Sequence, residues 1–280
     1  MASWAVRRKG RGARRAGRQA ARSDVTGYLG RAGLAARGVL YAIIGWIAVQ
    51  VAFGSSGQQA DRTGALHLIG RSPAGEVALW LLVAGFAGMV AWRLSEALFG
   101  AAGEDGQKAT TRLASAGRAV IYAVIAWGVL IYALGVGSPQ PSDQQSVDLT
   151  ATVMRHPGGR VAVILAGLVL VGCGVAFAYA AVRKRFLRRL RLGDMGTRTR
   201  QVVERLGQVG GIARGAVFAT AGAFLVVAAV EAQPQRAKGI DSALRALAAT
   251  PLGPWLLLAV AIGLIIFGAY SCCEARWRKV

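Results

Sequence analysis

The sequence predicts an all-α integral membrane protein with six transmembrane helices, built as three parallel helical-hairpin repeats with pseudo-threefold symmetry. Three observations lead there. The chain of 280 residues is 54% hydrophobic and only 17% charged, with a mean hydropathy of +0.44, too apolar for an ordinary soluble domain. Long stretches carry no charge, Val161 to Val182 being the clearest, and about 20 such residues at 1.5 Å each cross a hydrocarbon core about 30 Å thick. One pattern also occurs three times: Gly30 to Gly45 returns at Arg112 to Ala126 and at Gly207 to Gly222. Arg37, Arg118 and Arg214 then fall in register, as do Tyr41, Tyr122 and Phe218.

Residues 1–27 form a basic arm with too few large apolar residues to build a core, predicted to be disordered and to rest on anionic lipid headgroups. Repeat 1 covers 28–100, with spans at Leu34 to Phe53 and Gly75 to Phe99. Ser72 is expected to cap the second span, with Pro73 in the first helical position; Thr250-Pro251 reproduces the arrangement and His156-Pro157 approximates it. The short half-apolar segments before each proline are expected to lie on the outer bilayer surface.

Repeat 2 covers 101–183, including a short loop before its spans at Gly117 to Val136 and Arg160 to Val182. A basic amphipathic linker, 184–203, follows; Phe186, Leu187 and Leu190 share one face of a helix expected to lie in the inner interface. Repeat 3 covers 204–280, with spans at Ala213 to Val230 and Gly253 to Tyr270.

The charge of +21 is distributed with a sign. The side holding both termini carries 27 of the 34 Lys and Arg residues but only 7 of the 13 acids, so the positive-inside rule makes both termini cytoplasmic in a multi-pass protein of the cytoplasmic membrane. Such a distribution points to lipid rather than to nucleic acid. The first apolar stretch belongs to the repeat, so the N-terminus is read as retained, not cleaved. Three cysteines, Cys173, Cys272 and Cys273, make no disulfide framework. Heavy use of Ala, Arg and Gly fits a GC-rich bacterial genome.

Taken together, the threefold A-R-G-x-x-Y/F stretch, the Ala-Leu segment before a proline, and Trp92-Arg93-Leu94-Ser95-Glu96-Ala97 matched at Tyr270 to Arg276 resemble the bacterial family called domain of unknown function 1206. The resemblance covers about Tyr28 to Val280. It implies a six-helix integral membrane protein and carries no activity with it. The middle copy departs from the pattern, with Ala119 for Gly38 and Tyr179-Ala180-Ala181 where the others end in Glu-Ala.

Candidate residues follow from the repeat. Small residues four apart, Gly38 and Ala42, Ala119 and Ala123, Gly215 and Ala219, are expected to be helix contacts. Arg37, Arg118 and Arg214 either ring an anion-attracting vestibule or, as preferred, snorkel to water and phosphate, with Tyr41 and Tyr122 covering an arginine stem. Glu96 and Glu274 lie near helix C-termini, where the dipole disfavours an anion, and need cations. Glu96 is expected to pair with Arg37 and Glu274 with Arg214, Arg93 and Arg278 being local alternatives. Ala180 would then leave Arg118 without a partner. No catalytic motif, metal-ligand set or cofactor site is expected: His67 and His156 are isolated, and no G-x-S-x-G or H-E-x-x-H occurs. Two function classes remain. One is a non-enzymatic scaffold or accessory protein that contacts anionic lipid or an unknown protein partner. The other is a small-solute or anion conduit along the axis, which an axis plugged by large apolar side chains would disfavour.

Overall fold

The computed structural model describes residues 24–54, 59–100, 107–137, 140–237, 239–248 and 253–278. Most of the basic arm, and Thr250-Pro251, lie outside the described residues. The described chain is helical: α1 (Asp24–Ala52), α2 (Arg62–Gly70), α3 (Gly75–Phe99), α4 (Ala109–Ala133), α5 (Ser142–Met154), α6 (Gly159–Val182), α7 (Thr197–Val230), α8 (Ile240–Ala248) and α9 (Gly253–Trp277). Six of these, α1, α3, α4, α6, α7 and α9, are long and apolar enough to cross a membrane. Predicted spans and helices agree most closely for α3 and α6. By contrast, α1, α4 and α7 begin ten, eight and sixteen residues before their apolar stretches, because Arg, Gln and Ala in the leading turns favour helix without being apolar.

The spanning helices pack in a series. α4 lies on α3, α3 on α1, α1 on α9, α9 on α7 and α7 on α6. The series does not close, since among the described residues α4 and α6 are not packed against each other. Of the expected small-residue contacts, Gly38 and Ala42 meet Gly268 of α9, and Gly215 and Ala219 meet Gly174 of α6. There the backbones nearly touch: a Cβ on Gly174 or Gly215 would lie 2.6 Å from the opposing backbone, an approach that only glycine permits. In the middle copy Ala119 is buried and Ala123 exposed.

A single apolar cluster fills the centre, joining Leu34 and Ile47 of α1, Phe86 and Met89 of α3, Val129 of α4, Val217 of α7 and Leu264 of α9. The short helices were expected on the bilayer surface, but two of them close this core. Leu66 of α2 and Leu244 of α8 are fully buried in it, because burial in the cluster satisfies their apolar faces better than an interface would. By contrast, α5 keeps the large apolar residues Leu149 and Val153 exposed.

Three aspartates fasten this end. Asp61 caps α2 by accepting from the Gly64 N–H (3.0 Å) and reaches into the next copy to accept from the Ser142 N–H (2.8 Å). Asp143 in turn accepts from the Gly239 N–H (2.7 Å) and the Ser242 hydroxyl. Asp241 accepts from the Ala60 N–H (2.7 Å) and from Arg245 (2.8 Å). Each copy thus binds the backbone of the next, and the third returns to the first. Beside Asp61, burial holds the Arg62 guanidinium below its ordinary range while the carboxylate opposes that shift.

Ser72 does not cap α3. Its hydroxyl donates to the Ile69 carbonyl (2.7 Å), closing α2, and α3 starts two residues beyond Pro73 with Ala74 at its N-cap. At the other end the basic linker forms 3₁₀ turns at Arg185–Arg189 and Leu192–Asp194 instead of an interfacial α-helix. Leu190 is 1% exposed, bridges to Arg278 and packs with Val203, Phe267 and Tyr270. The linker is therefore drawn beneath the bundle by its own apolar residues.

Candidate functional site

At the end of the bundle that holds Asp24 and Arg278, the helices turn charged side chains inward. Arg37 is 8% exposed, so it does not snorkel; it lies between α1 and α9. Its Nη2 donates to Glu274 Oε2 (2.7 Å) and to the Ser271 hydroxyl (3.1 Å), and it also faces the Tyr122 hydroxyl. Glu274 receives a second guanidinium, that of Arg278 one turn on. On α3, Arg93 Nη1 donates to Glu96 Oε2 (2.6 Å), and Ser115 of α4 donates to the same oxygen (3.2 Å). Trp92 lies between Arg93 (4.1 Å) and Arg278 (4.6 Å), its ring sharing two cations.

The expected pairings are corrected by this geometry. Glu274 pairs with Arg37, not Arg214, and Glu96 pairs with Arg93, not Arg37. The reason lies in the packing order: α9 lies on α1 and carries Glu274 to Arg37, whereas α3 lies against α4, where Glu96 meets Ser115 and keeps Arg93 of its own helix as its cation. The middle copy has Ala180 in place of this glutamate, so Arg118, as expected, makes no ion pair among the described residues, and neither does Arg214. Aromatic faces take over. Its guanidinium lies over Phe177 (4.5 Å), Phe267 (5.1 Å), Phe218 (5.2 Å) and Tyr41 (5.7 Å). Tyr41 was expected over the arginine of its own helix and instead serves that of α7. Tyr122, 9% exposed, stacks on Phe86 at 6.3 Å.

Arg118 is different again. It is half-buried on α4 and makes no hydrogen bond or ion pair with the described residues. Arg189, Glu96, Arg278 and Tyr122 bear on it electrostatically. The region thus gathers six guanidiniums, of Arg37, Arg93, Arg118, Arg189, Arg214 and Arg278, around the two carboxylates of Glu96 and Glu274. Such an excess attracts anions. Among the described residues no three His, Cys, Asp or Glu side chains gather as metal ligands would.

Ser115, Ser271 and the aromatic box were not anticipated. Ser115 had a signal, since it stands in register with Leu34 and puts a hydroxyl where the first copy is apolar. The aspartate circuit had one too, an acid ahead of each short apolar segment at Asp61, Asp143 and Asp241.

Comparison with known proteins agrees with the internal repetition. The family model described as Domain of Unknown Function (DUF1206) matches three times, at residues 32–100, 113–184 and 209–278. A curated relative, the uncharacterized protein YxxB of Bacillus subtilis (strain 168), is 30% identical over 253 residues, 90% of each chain. No solved structure matches.

Proposed function

The chain belongs to the DUF1206 family, and from that premise we propose that it is a non-enzymatic scaffold or accessory protein of the bacterial cytoplasmic membrane, holding anionic lipid headgroups or a protein partner at its basic face. In this reading both termini are cytoplasmic, and the three two-helix copies stand parallel around a pseudo-threefold axis. The Glu274–Arg37 pair, the Ser115–Glu96 hydrogen bond and the aspartate circuit support that arrangement, and the count of 27 basic residues on one side supports the orientation.

The observation that carries the function is the basic cluster: among the described residues six guanidiniums gather about two carboxylates, with Arg37, Arg93 and Arg278 buried, Arg189 exposed and Arg118 half-buried without a hydrogen bond or ion pair. A membrane interior tolerates such an excess only where counter-charge or water meets it, and anionic headgroups supply counter-charge along the inner leaflet. The second reading, an anion or small-solute conduit, is disfavoured by the cluster of Leu34, Ile47, Phe86 and Leu264 packed across the centre.

The test is lipid enrichment around the purified full chain in nanodiscs of mixed phosphatidylcholine and phosphatidylglycerol. Enrichment in phosphatidylglycerol should fall steeply as ionic strength rises from about 0.1 M to about 1 M. Equal representation of the two lipids at low salt refutes the lipid reading. Anion flux into proteoliposomes, altered by Arg118→Ala, would favour the conduit.

A further inference from the structure

We infer that the open side of the bundle, between α4 and α6, is a binding slot for one anionic phospholipid, with its phosphate on Arg118 and Arg189 and an acyl chain along the two bare helix faces. The inference rests on the lipid reading above and makes it specific.

The slot is a missing contact. The first and third copies pack their two spanning helices together, Gly33 of α1 against Gly85 and Met89 of α3, and Gly210 of α7 against Phe267 of α9. In the middle copy Gly117 and Gly172 meet nothing within 4 Å. The faces beside them are apolar and exposed, Val120 and Val124 on α4 and Leu165 and Val169 on α6. Beside α6 lies a cavity of about 250 Å³, lined by Leu170 of α6, by Val217, Phe218, Ala221 and Leu225 of α7, and by Ser142 and Gln145 of α5. That is smaller than the roughly 300–1,000 Å³ that encloses a whole small-molecule ligand, and its apolar wall on α6 and α7 suits a chain terminus.

Charge identifies the occupant. Of the three arginines in register, Arg37 has a carboxylate and Arg214 has four rings, whereas Arg118 has neither. Its neighbours Arg189 and Arg278 repel it, and Glu96 is held by Arg93 and Ser115. A guanidinium with five donors in that setting calls for an anion with several acceptor oxygens, and a phosphodiester accepts from arginine in bidentate fashion. A second copy of the chain docking through the same face would bring Arg118 toward its own image, placing like charges together.

Native mass spectrometry of the full chain, delipidated and titrated with phosphatidylglycerol or phosphatidylcholine, tests this. One phosphatidylglycerol should remain bound at salt that strips the surrounding lipid. Arg118→Gln should weaken that binding about tenfold, the loss of a charge-assisted hydrogen bond, and Arg118→Lys less. Gly117→Leu, which projects into open space, should displace the lipid in a protein that stays monodisperse, so a folding failure of Arg118→Gln leaves the test intact. If phosphatidylglycerol enrichment is salt-sensitive but no single molecule is retained, the slot is refuted while the lipid reading stands. If neither lipid is preferred, both fall. A dimer cross-linked through Cys173, which is exposed on α6, in a Cys272→Ser/Cys273→Ser background would assign the slot to a second copy and overturn the proposal.

Discussion

Arg37 on the first spanning helix and Glu274 on the last form a buried ion pair 2.7 Å long across 237 positions of sequence. Glu274 sits one turn from the C-terminal end of α9, where the helix dipole repels an anion, so its burial depends on both Arg37 and Arg278. This pair fastens α1 to α9 at the basic end, just as the aspartates join the copies at the other.

Removing one partner of such a pair leaves a buried charge uncompensated, at a cost of about 3–5 kcal/mol. Glu274→Gln should therefore lower the thermal midpoint in detergent far more than Glu204→Gln, whose Lys184 pair is half-exposed, where about 0–1 kcal/mol is expected. Replacing Arg37 with Met in the same chain should recover part of the loss. Equal midpoints for the two single variants would refute the assignment.

The aspartate circuit predicts coupling. Asp61→Ala, Asp143→Ala and Asp241→Ala should each cost about 1–3 kcal/mol, the range for a cap or a charged hydrogen bond left unmade. Pairs of these substitutions should cost less than their sum, because one break already loosens the circuit. Strict additivity in thermal unfolding would mean that the three contacts act independently.

Glycine substitutions should separate the closed interfaces from the open one. Gly174→Leu and Gly215→Leu force α6 from α7 and should abolish monodisperse protein on size-exclusion chromatography, whereas Gly117→Leu and Gly172→Leu should leave the elution profile unchanged. Loss of Gly172→Leu protein would show that α6 meets a helix the fold does not place there.

Arginines at helix starts cap their neighbours. Arg112 donates to the Ala97 (2.8 Å) and Leu98 (2.9 Å) carbonyls ending α3, and Arg160 to those of Ala229 (2.8 Å) and Val230 ending α7. Arg160→Ala should cost about 1.5–3 kcal/mol, and Arg160→Lys should restore only part, since an ammonium lacks the fork that spans two carbonyls. Hydrogen exchange at the last turn of α7 reads this directly; no change in protection there would reject the capping role.

The span positions and the repeats were legible because hydropathy and register are local properties. The register of Arg37, Arg118 and Arg214 was read correctly, yet their partners were not, since sequence spacing cannot say whether α9 packs on α7 or α1. Once α9 lies on both, the acid reaches Arg37, and Arg214 joins Arg118 in having no carboxylate partner among the described residues. Amphipathicity misled for Leu66, Leu190 and Leu244, because an apolar face suits an interface and a core end equally well until the surrounding helices are placed.

The Asp241 carboxylate reaches back 181 positions to the Ala60 N–H. A ribosome feeding this chain into a bilayer therefore emits the early loop long before the residue that secures it exists. The Asp61–Ser142 link can form once the second copy is made, but the circuit closes only when the third supplies Asp241, and the order of synthesis becomes an order of assembly.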